Sequence, residues 1–443
     1  MRWKWPGADS GSASSTLAFV GPAKPNSFGG LWHSGHMIRA AAIAWVVIAT
    51  LSVGRAVLIH YPRHSGCFSI FAEAGQAWLA GNDVYSARPG LSVFRYSPLA
   101  AALLAPIGAL PDVLGSAALR AVNLAVFVLG IFCWGKCATP ITLSRRQLAA
   151  FLLLVAPLVA RSLIDVQVNG LTIGLLLLGV TALVQDRPNW AAACFVLACL
   201  VKAYVISLVL VLMLVYPRQL IFRFPAFVVL GFVLPFAFQR PDYVLRQYEL
   251  WIHWGLNNRG FGEFEDLWFL LANLGVMLDQ RGHSIVQLAA AAAVAAFCFW
   301  RRRASVPRKE LVCTVLGLTC GWMVLLGPAT EGCTYVLFAP AMAWVVLEAY
   351  LAAVPAWQRV LALSSFVIFT VGQIAFWFPW GGALNATIGT FPLTAILAVA
   401  AIVVAELRWQ PAPELATGWE EPAFLPLASA ANRMPGKQER KAA

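Results

Sequence analysis

Residues Trp190–Tyr216 read WAAACFVLACLVKAYVISLVLVLMLVY, a continuous apolar run with one charge, Lys202, near its middle. About 20 apolar residues are needed to cross a ~30 Å hydrocarbon core, so this run is long enough to span. An ammonium at the centre of a span costs about 2.5–3.5 kcal/mol on insertion scales and normally faces a partner or a wet cavity. Two topologies follow. One straight span puts Arg218 and Arg223 opposite Lys136, Arg145, Arg146 and Arg187, and every later loop inverts. The triplet Arg301–Arg303 with Arg308 and Lys309 would then face outward, against the bias of basic loops toward the cytoplasm. Two half-length helices bending at Lys202 return those residues inside, with Arg359, Arg408, Arg433, Lys437, Arg440 and Lys441. A broken, re-entrant helix is therefore expected, and such backbone is tolerated where it is buried or lines a cavity.

The rest of the chain agrees with a membrane setting. It has 443 residues, 60% hydrophobic and 12% charged, whereas soluble domains carry about a quarter charged residues. An all-α polytopic membrane protein is predicted. Besides the broken run, spans are expected over 38–59, 113–134, 148–164, 171–184, 221–238, 284–300, 311–326, 335–353, 360–378 and 386–405, about eleven in all plus one re-entrant hairpin. Residues 1–37 and 407–443 read as disordered cytosolic ends around a membrane domain, 38–406. The net charge of +12 sits mainly in short loops, where it sets orientation and meets anionic lipid; nucleic acid is not an expected partner. There is no Walker A loop, GxSxG elbow or zinc pattern.

This topology sends outward a first loop, 61–111, a turn at 165–169, a second large loop, 240–282, and turns near 327–334 and 379–385. The first loop contains FAEAGQAWLAGNDVYSARPGLSVFRYSPLAAALLAPIGALP (Phe71–Pro111), whose final apolar run is too short to span; amphipathic outer-loop helices are expected. Arg95 and Arg259, outward against the positive-inside bias, join Lys202 as candidates for a phosphate. Asp83, Tyr85, Tyr96, Gln167, Asn169 and His253 are candidates for sugar hydroxyls and faces. Asp83 also fits an Asx-turn, and Asp165 with Asn169 fits helix capping. Glu263, Glu265 and Asp266 are candidates for a divalent cation, although charge at a helix N-terminus is the simpler account. No cofactor is otherwise expected. Cys67 and Cys333 fall in outward loops, where a disulfide is permitted.

The segments AEAGQAWLAGNDVY, FRYSPLAAALLAPIGALP, DVQVNGLTIGLLLLG and LACLVKAYVISLVL, in that order, resemble glycosyltransferase family 87, over about 38–239 and beyond that by hydropathy alone. The resemblance implies a GT-C type integral membrane enzyme of the cell membrane, with an extracytoplasmic active site. It would move a hexose, mannose by kinship, from a polyprenyl phosphate to a glycolipid or glycan, with inversion. Such a reaction takes a carboxylate to accept the acceptor's proton. The family often has an Asp eight residues before the glycine matching Gly75, and here that position is Cys67. The base is then sought first at Glu73, next at Glu331, and at Asp165; a Cys67–Cys333 bridge would draw Glu331 toward the first loop. A transporter or lipid-sugar flippase, a silent relative, and a ligase or polymerase of lipid-linked glycans remain alternatives.

Overall fold

The helix does break at Lys202. A computed structural model describes residues 34–58, 67–86, 94–257, 265–328, 330–352 and 354–408, and among them there is no strand. The chain enters through α1 (Ser34–Leu58), an outer pair α2 (Phe68–Ala80) and α3 (Pro98–Gly108), then α4 (Asp112–Cys137), α5 (Arg145–Ile164) and α6 (Asn169–Val184). Next, α7 (Pro188–Val201) stops at Lys202, whose backbone is extended (φ −134°, ψ 102°). A 3-10 turn, Ala203–Val205, leads into α8 (Ile206–Val215), followed by α9 (Pro217–Leu220) and α10 (Arg223–Val233). The second outer loop carries α11 (Pro241–Asn257) and α12 (Leu267–Asn273). The remainder is α13 (Gln280–Arg303), α14 (Arg308–Leu326), a 3-10 segment Gly332–Leu337, α15 (Ala339–Leu351), α16 (Ala356–Ala375), α17 (Gly381–Ile388) and α18 (Thr390–Arg408).

The α7–α8 pair is a hairpin because its two ends meet. Arg223 Nε donates to Asn189 Oδ1 at 3.0 Å, and Gln219 Nε2 donates to Asp186 Oδ1 at 3.0 Å. The apex lies far from there, against the first outer loop. The Leu200 carbonyl, released from the helix by the break, accepts from Ser97 Oγ (2.6 Å) and Ser97 N (3.3 Å). The basic residues assigned to one side also share that end. Arg308 Nη1 meets Asp186 Oδ1 at 2.7 Å, and Arg302 Nη1 donates to the Leu214 carbonyl at 2.9 Å.

Eight helices among the described residues are long and apolar enough to cross a membrane. The other three expected spans are shorter: α6, the two hairpin arms, and α15. The last span starts later than the sequence suggested, at Thr390, because Gly389 turns left-handed (φ 65°) and ends α17 there. The main core is built on α4, α5, α6, α14, α15 and α18. At its centre α4 and α6 cross glycine on glycine: a Cβ on Gly174 would stand 2.6 Å from the Val126 carbonyl oxygen. A second cluster joins α2, α3 and α11 into an outer layer, with Trp78 against Tyr243 at 5.4 Å and Val84 N donating to Gln247 Oε1 at 3.0 Å.

Candidate functional site

The outward segments converge on the hairpin apex. Lys202 is half-buried there and carries Tyr204 at 5.6 Å from its Nζ to the ring centre. Its strongest charged neighbour is Glu331, ahead of Cys67, Cys333 and Arg95. Glu331 is exposed, just before the 3-10 segment, where its own N–H donates to Thr334 Oγ1 at 3.2 Å. Its charge also bears on Cys67, Tyr96, Tyr204 and Glu265, so this carboxylate is the electrostatic hub of the site.

The first outer loop supplies one wall. Asp83 Oδ1 accepts from Tyr85 N at 2.8 Å, the Asx-turn anticipated for it. Tyr85 is buried and its hydroxyl donates to the Tyr96 carbonyl at 2.8 Å. These two residues hold Tyr96 in place. Tyr96 packs on Phe71 and Phe94, each at 5.2 Å between ring centres, and Arg95 beside it is exposed. Ser97 caps α3 and binds the Leu200 carbonyl, so Arg95 and Lys202, each two residues from that contact, are tied to the same point.

Cys67 and Phe71, four residues apart, share the face of α2 turned toward Tyr96 and Lys202. Burial first, and the Glu331 carboxylate next, push the Cys67 thiol up to about 11, which keeps it neutral at pH 7. Cys67 and Cys333 are both free thiols, so the bridge considered from sequence is not formed. Glu73, two residues past Phe71, projects from a different side of α2 than Phe71 does.

The α5–α6 turn forms the floor. Asp165 is held by two guanidinium groups, Arg55 Nη1 at 3.2 Å and Arg161 Nε at 3.7 Å. Val166 follows with φ 56°, a left-handed conformation that β-branched residues avoid, at a cost of order 1–3 kcal/mol. What holds it is a set of buttresses from α1 and α4. Ser52 Oγ donates to the Leu163 carbonyl at 2.7 Å, buried Arg120 to the Ile164 carbonyl, and Asn123 Nδ2 to the Gln167 carbonyl at 3.0 Å. Asn169 does not cap α6. Its side chain is buried, donates from Nδ2 to the Cys333 carbonyl at 3.0 Å, and leaves Oδ1 unpaired. The turn is thereby tied to the segment carrying Glu331.

Glu265 completes the site from the second outer loop. Its backbone N–H donates to the Thr330 carbonyl at 2.8 Å, and Tyr335 donates its hydroxyl to the Glu265 carbonyl at 2.8 Å. A Cβ on Gly332 would stand 2.6 Å from Glu265 Oε2, so this carboxylate lies closely against the glycine that follows Glu331. Burial pushes Glu265 up to about 7. Asp266 instead caps α12, accepting from Phe269 N at 3.0 Å, as helix-end charge was expected to do. Among the described residues no three His, Cys, Asp or Glu groups are placed to hold a metal ion. His253 is exposed on α11, and Gln167 is half-buried in the floor. Arg259 and Glu263 lie outside the described residues, as do 1–33 and 409–443 of the ends expected to be disordered, while 34–37 and 407–408 belong to α1 and α18.

Sequence reasoning missed Arg55, Arg120, Arg161 and Tyr204. Arg120 carried the same signal as Lys202, a charge within an apolar span, and it sits 1% exposed inside α4. The model of glycosyltransferase family 87 matches residues 94–328, just over half of the chain. The chain belongs to glycosyltransferase family 87. No curated protein matches it. In this family 87 protein the match begins at the wall segment Phe94–Ser97 and takes in the floor, the hairpin and Glu265. It runs past Gln239, where the resemblance by motif stopped, and it starts after the first-loop segment that began the resemblance. A membrane glycosyltransferase needs a sugar donor and an acceptor.

Proposed function

We propose that the chain transfers a hexose, mannose in the first instance, from a polyprenyl-phosphate donor to a hydroxyl of a glycolipid or glycan, with inversion at the sugar carbon. The observation that carries this is the opposition of Glu331 to Lys202 at the hairpin apex, with Arg95 beside the lysine. Glu331 takes the proton from the acceptor hydroxyl as that oxygen attacks the anomeric carbon. The bond from this carbon to the phosphate oxygen breaks, and its electron pair leaves with the lipid phosphate. Lys202 and Arg95 stabilise the charge that develops there. Cys67, a neutral thiol, cannot act as the base. Asp165 is engaged by two arginines and serves to position the floor.

Glu331 is preferred to Glu73 as the base because its charge bears most strongly on Lys202. Tyr96 and Asn169 are assigned to the sugar or acceptor, and the unpaired Asn169 Oδ1 is a ready acceptor of a hydroxyl hydrogen. Catalysis on the extracytoplasmic face, with both termini cytosolic, agrees with the basic residues gathered at the other end of the bundle.

The test uses purified protein in lipid, labelled polyprenyl-phosphate hexoses and a membrane glycolipid extract. Glu331→Gln should slow transfer about 10²–10⁴-fold, the usual contribution of a general base. Glu73→Gln should retain transfer. Lys202→Ala should lose it. Transfer surviving Glu331→Gln overturns the base assignment. Absence of transfer with every donor, while lipid-sugar crosses the vesicle, overturns the enzyme in favour of a flippase.

A further inference from the structure

Glu331 stands in a turn that the second outer loop grips on both sides. Glu265 donates its backbone N–H to the Thr330 carbonyl at 2.8 Å, and its own carbonyl accepts from the Tyr335 hydroxyl at 2.8 Å. Its side chain crosses the same turn, with Oε2 2.6 Å from where a Cβ on Gly332 would stand. The residues before and after Glu331 therefore both lie against Glu265. Beyond it the loop is lightly held: α12 has no buried residue, and its far end is tied by Asn273 Nδ2 to the Ala386 carbonyl at 2.6 Å.

The surroundings of the Glu265 carboxyl favour a proton over a charge. Oε2 is buried and makes no hydrogen bond of ordinary geometry. From α5, Arg161 draws the carboxyl toward ionisation, but that guanidinium is shared with Asp165 at 3.7 Å and lies 3.4 Å over the Phe376 ring. From the turn, the Gly332 N–H acts with Arg161 and the Glu331 charge acts against it. The Tyr335 hydroxyl is spent on the backbone carbonyl, Asp266 accepts from Phe269 N, and His283 of α13 bears on Asp266. Burial is the largest influence and pushes the group up to about 7. A buried carboxylate oxygen without a partner, beside a second carboxylate, is relieved by moving toward water.

We infer that Glu265 is a positioning residue for Glu331. Neutral, it closes the Thr330–Gly332 turn and holds the base at the hairpin apex; ionised, it releases that turn. The assignment rests on the transferase reading above, and it makes the neutral carboxyl the working form.

Transfer and amide hydrogen exchange, measured on the full chain in lipid, test this in parallel. Wild-type kcat should fall through an inflection near pH 7, approaching about tenfold per pH unit, while KM for the donor changes little. Glu265→Gln, which cannot ionise there, should lack that inflection. Glu265→Ala should lower kcat at every pH, by up to about 10²-fold, and Glu265→Gln should recover part of the loss. Exchange needs no donor. Corrected for intrinsic rates, protection over 265–273 and 330–337 should fall from pH 6 to pH 8 in wild type and hold in Glu265→Gln. An inflection near pH 7 that persists in Glu265→Gln overturns the inference, as does wild-type protection equal at both pH values. Both outcomes can be read even if Glu265→Ala fails to fold. Absence of transfer with every donor, with protection still following pH in wild type alone, overturns the transferase and leaves Glu265 in control of the turn.

Discussion

Gly174→Ala is the substitution whose sign the packing decides. In an open helix, alanine is favoured over glycine by about 0.8–1.0 kcal/mol, so an unpacked position would gain stability. At Gly174 the added methyl would stand 2.6 Å from the Val126 carbonyl oxygen, 2.8 Å from its carbon and 2.9 Å from Phe127 Cα. All three are backbone atoms of α4, so no side chain can swing aside. Ordinary contact begins near 3.4 Å, so α4 and α6 must part by roughly 0.5–0.8 Å, and overpacking of this kind costs about 1–3 kcal/mol. The net expectation is a loss of up to about 2 kcal/mol after the propensity gain. Gly54→Ala on α1 is the control, since nothing lies within 4 Å of its Cβ. Thermal unfolding of both variants in the same lipid should give opposite signs, with Gly174→Ala lowering Tm and Gly54→Ala leaving it equal or higher. Transfer activity should fall with Gly174→Ala as well, because α6 carries Asn169 and its bond to the Cys333 carbonyl. A Gly174→Ala protein as stable as the Gly54→Ala protein would refute the close α4–α6 crossing and the floor built on it.

Three further outcomes can be measured. Glu265 is pushed up to about 7, so the folded chain holds its proton between about pH 4.5 and 7 while the unfolded chain releases it. Stability should therefore fall as pH rises through that window, and Glu265→Gln should flatten the fall in Tm measured from pH 5 to 7.5. Asn169→Ala loses the Cys333 carbonyl bond, and should lower stability by about 1–3 kcal/mol in denaturant titration and reduce transfer. Cys67, raised to about 11, should react slowly with iodoacetamide at pH 7.5 in protein lacking the other cysteines; fast alkylation would place it outside the buried wall.

Much of the fold was legible because a membrane makes charge conspicuous. Lys202 in an apolar run announced the break, and the basic loops assigned its two ends to one side, where Asp186 and Gln219 do meet. The Asx-turn at Asp83 and the cap at Asp266 follow from local chemistry and needed no tertiary information. The ordering of the carboxylates was not legible. Glu73 and Glu331 look alike in sequence, and only the fold sets the Glu331 carboxylate as the largest charge bearing on Lys202. Arg120 and Arg55 stayed unseen because each reaches a carbonyl or carboxylate on another helix, whereas Arg161 meets Asp165 at i, i+4 at the end of its own helix, a spacing the sequence did carry. The floor at Asp165–Asn169 read as capping, yet its side chains reach across to neighbouring elements, contacts with no signature in local spacing.

The hairpin has a consequence for what can approach it. At 1.5 Å per residue its longer arm rises about 21 Å, roughly 9 Å short of a hydrocarbon thickness. On the proposed reading, a phosphate that meets Lys202 would lie beneath the plane of the neighbouring lipid headgroups. Water-soluble sugar phosphates would have to shed their hydration to descend there, whereas a phosphate already carrying a hydrocarbon chain has its anchor at the right depth. Selection against soluble donors would then come from the length of a helix, before any side chain touches the sugar.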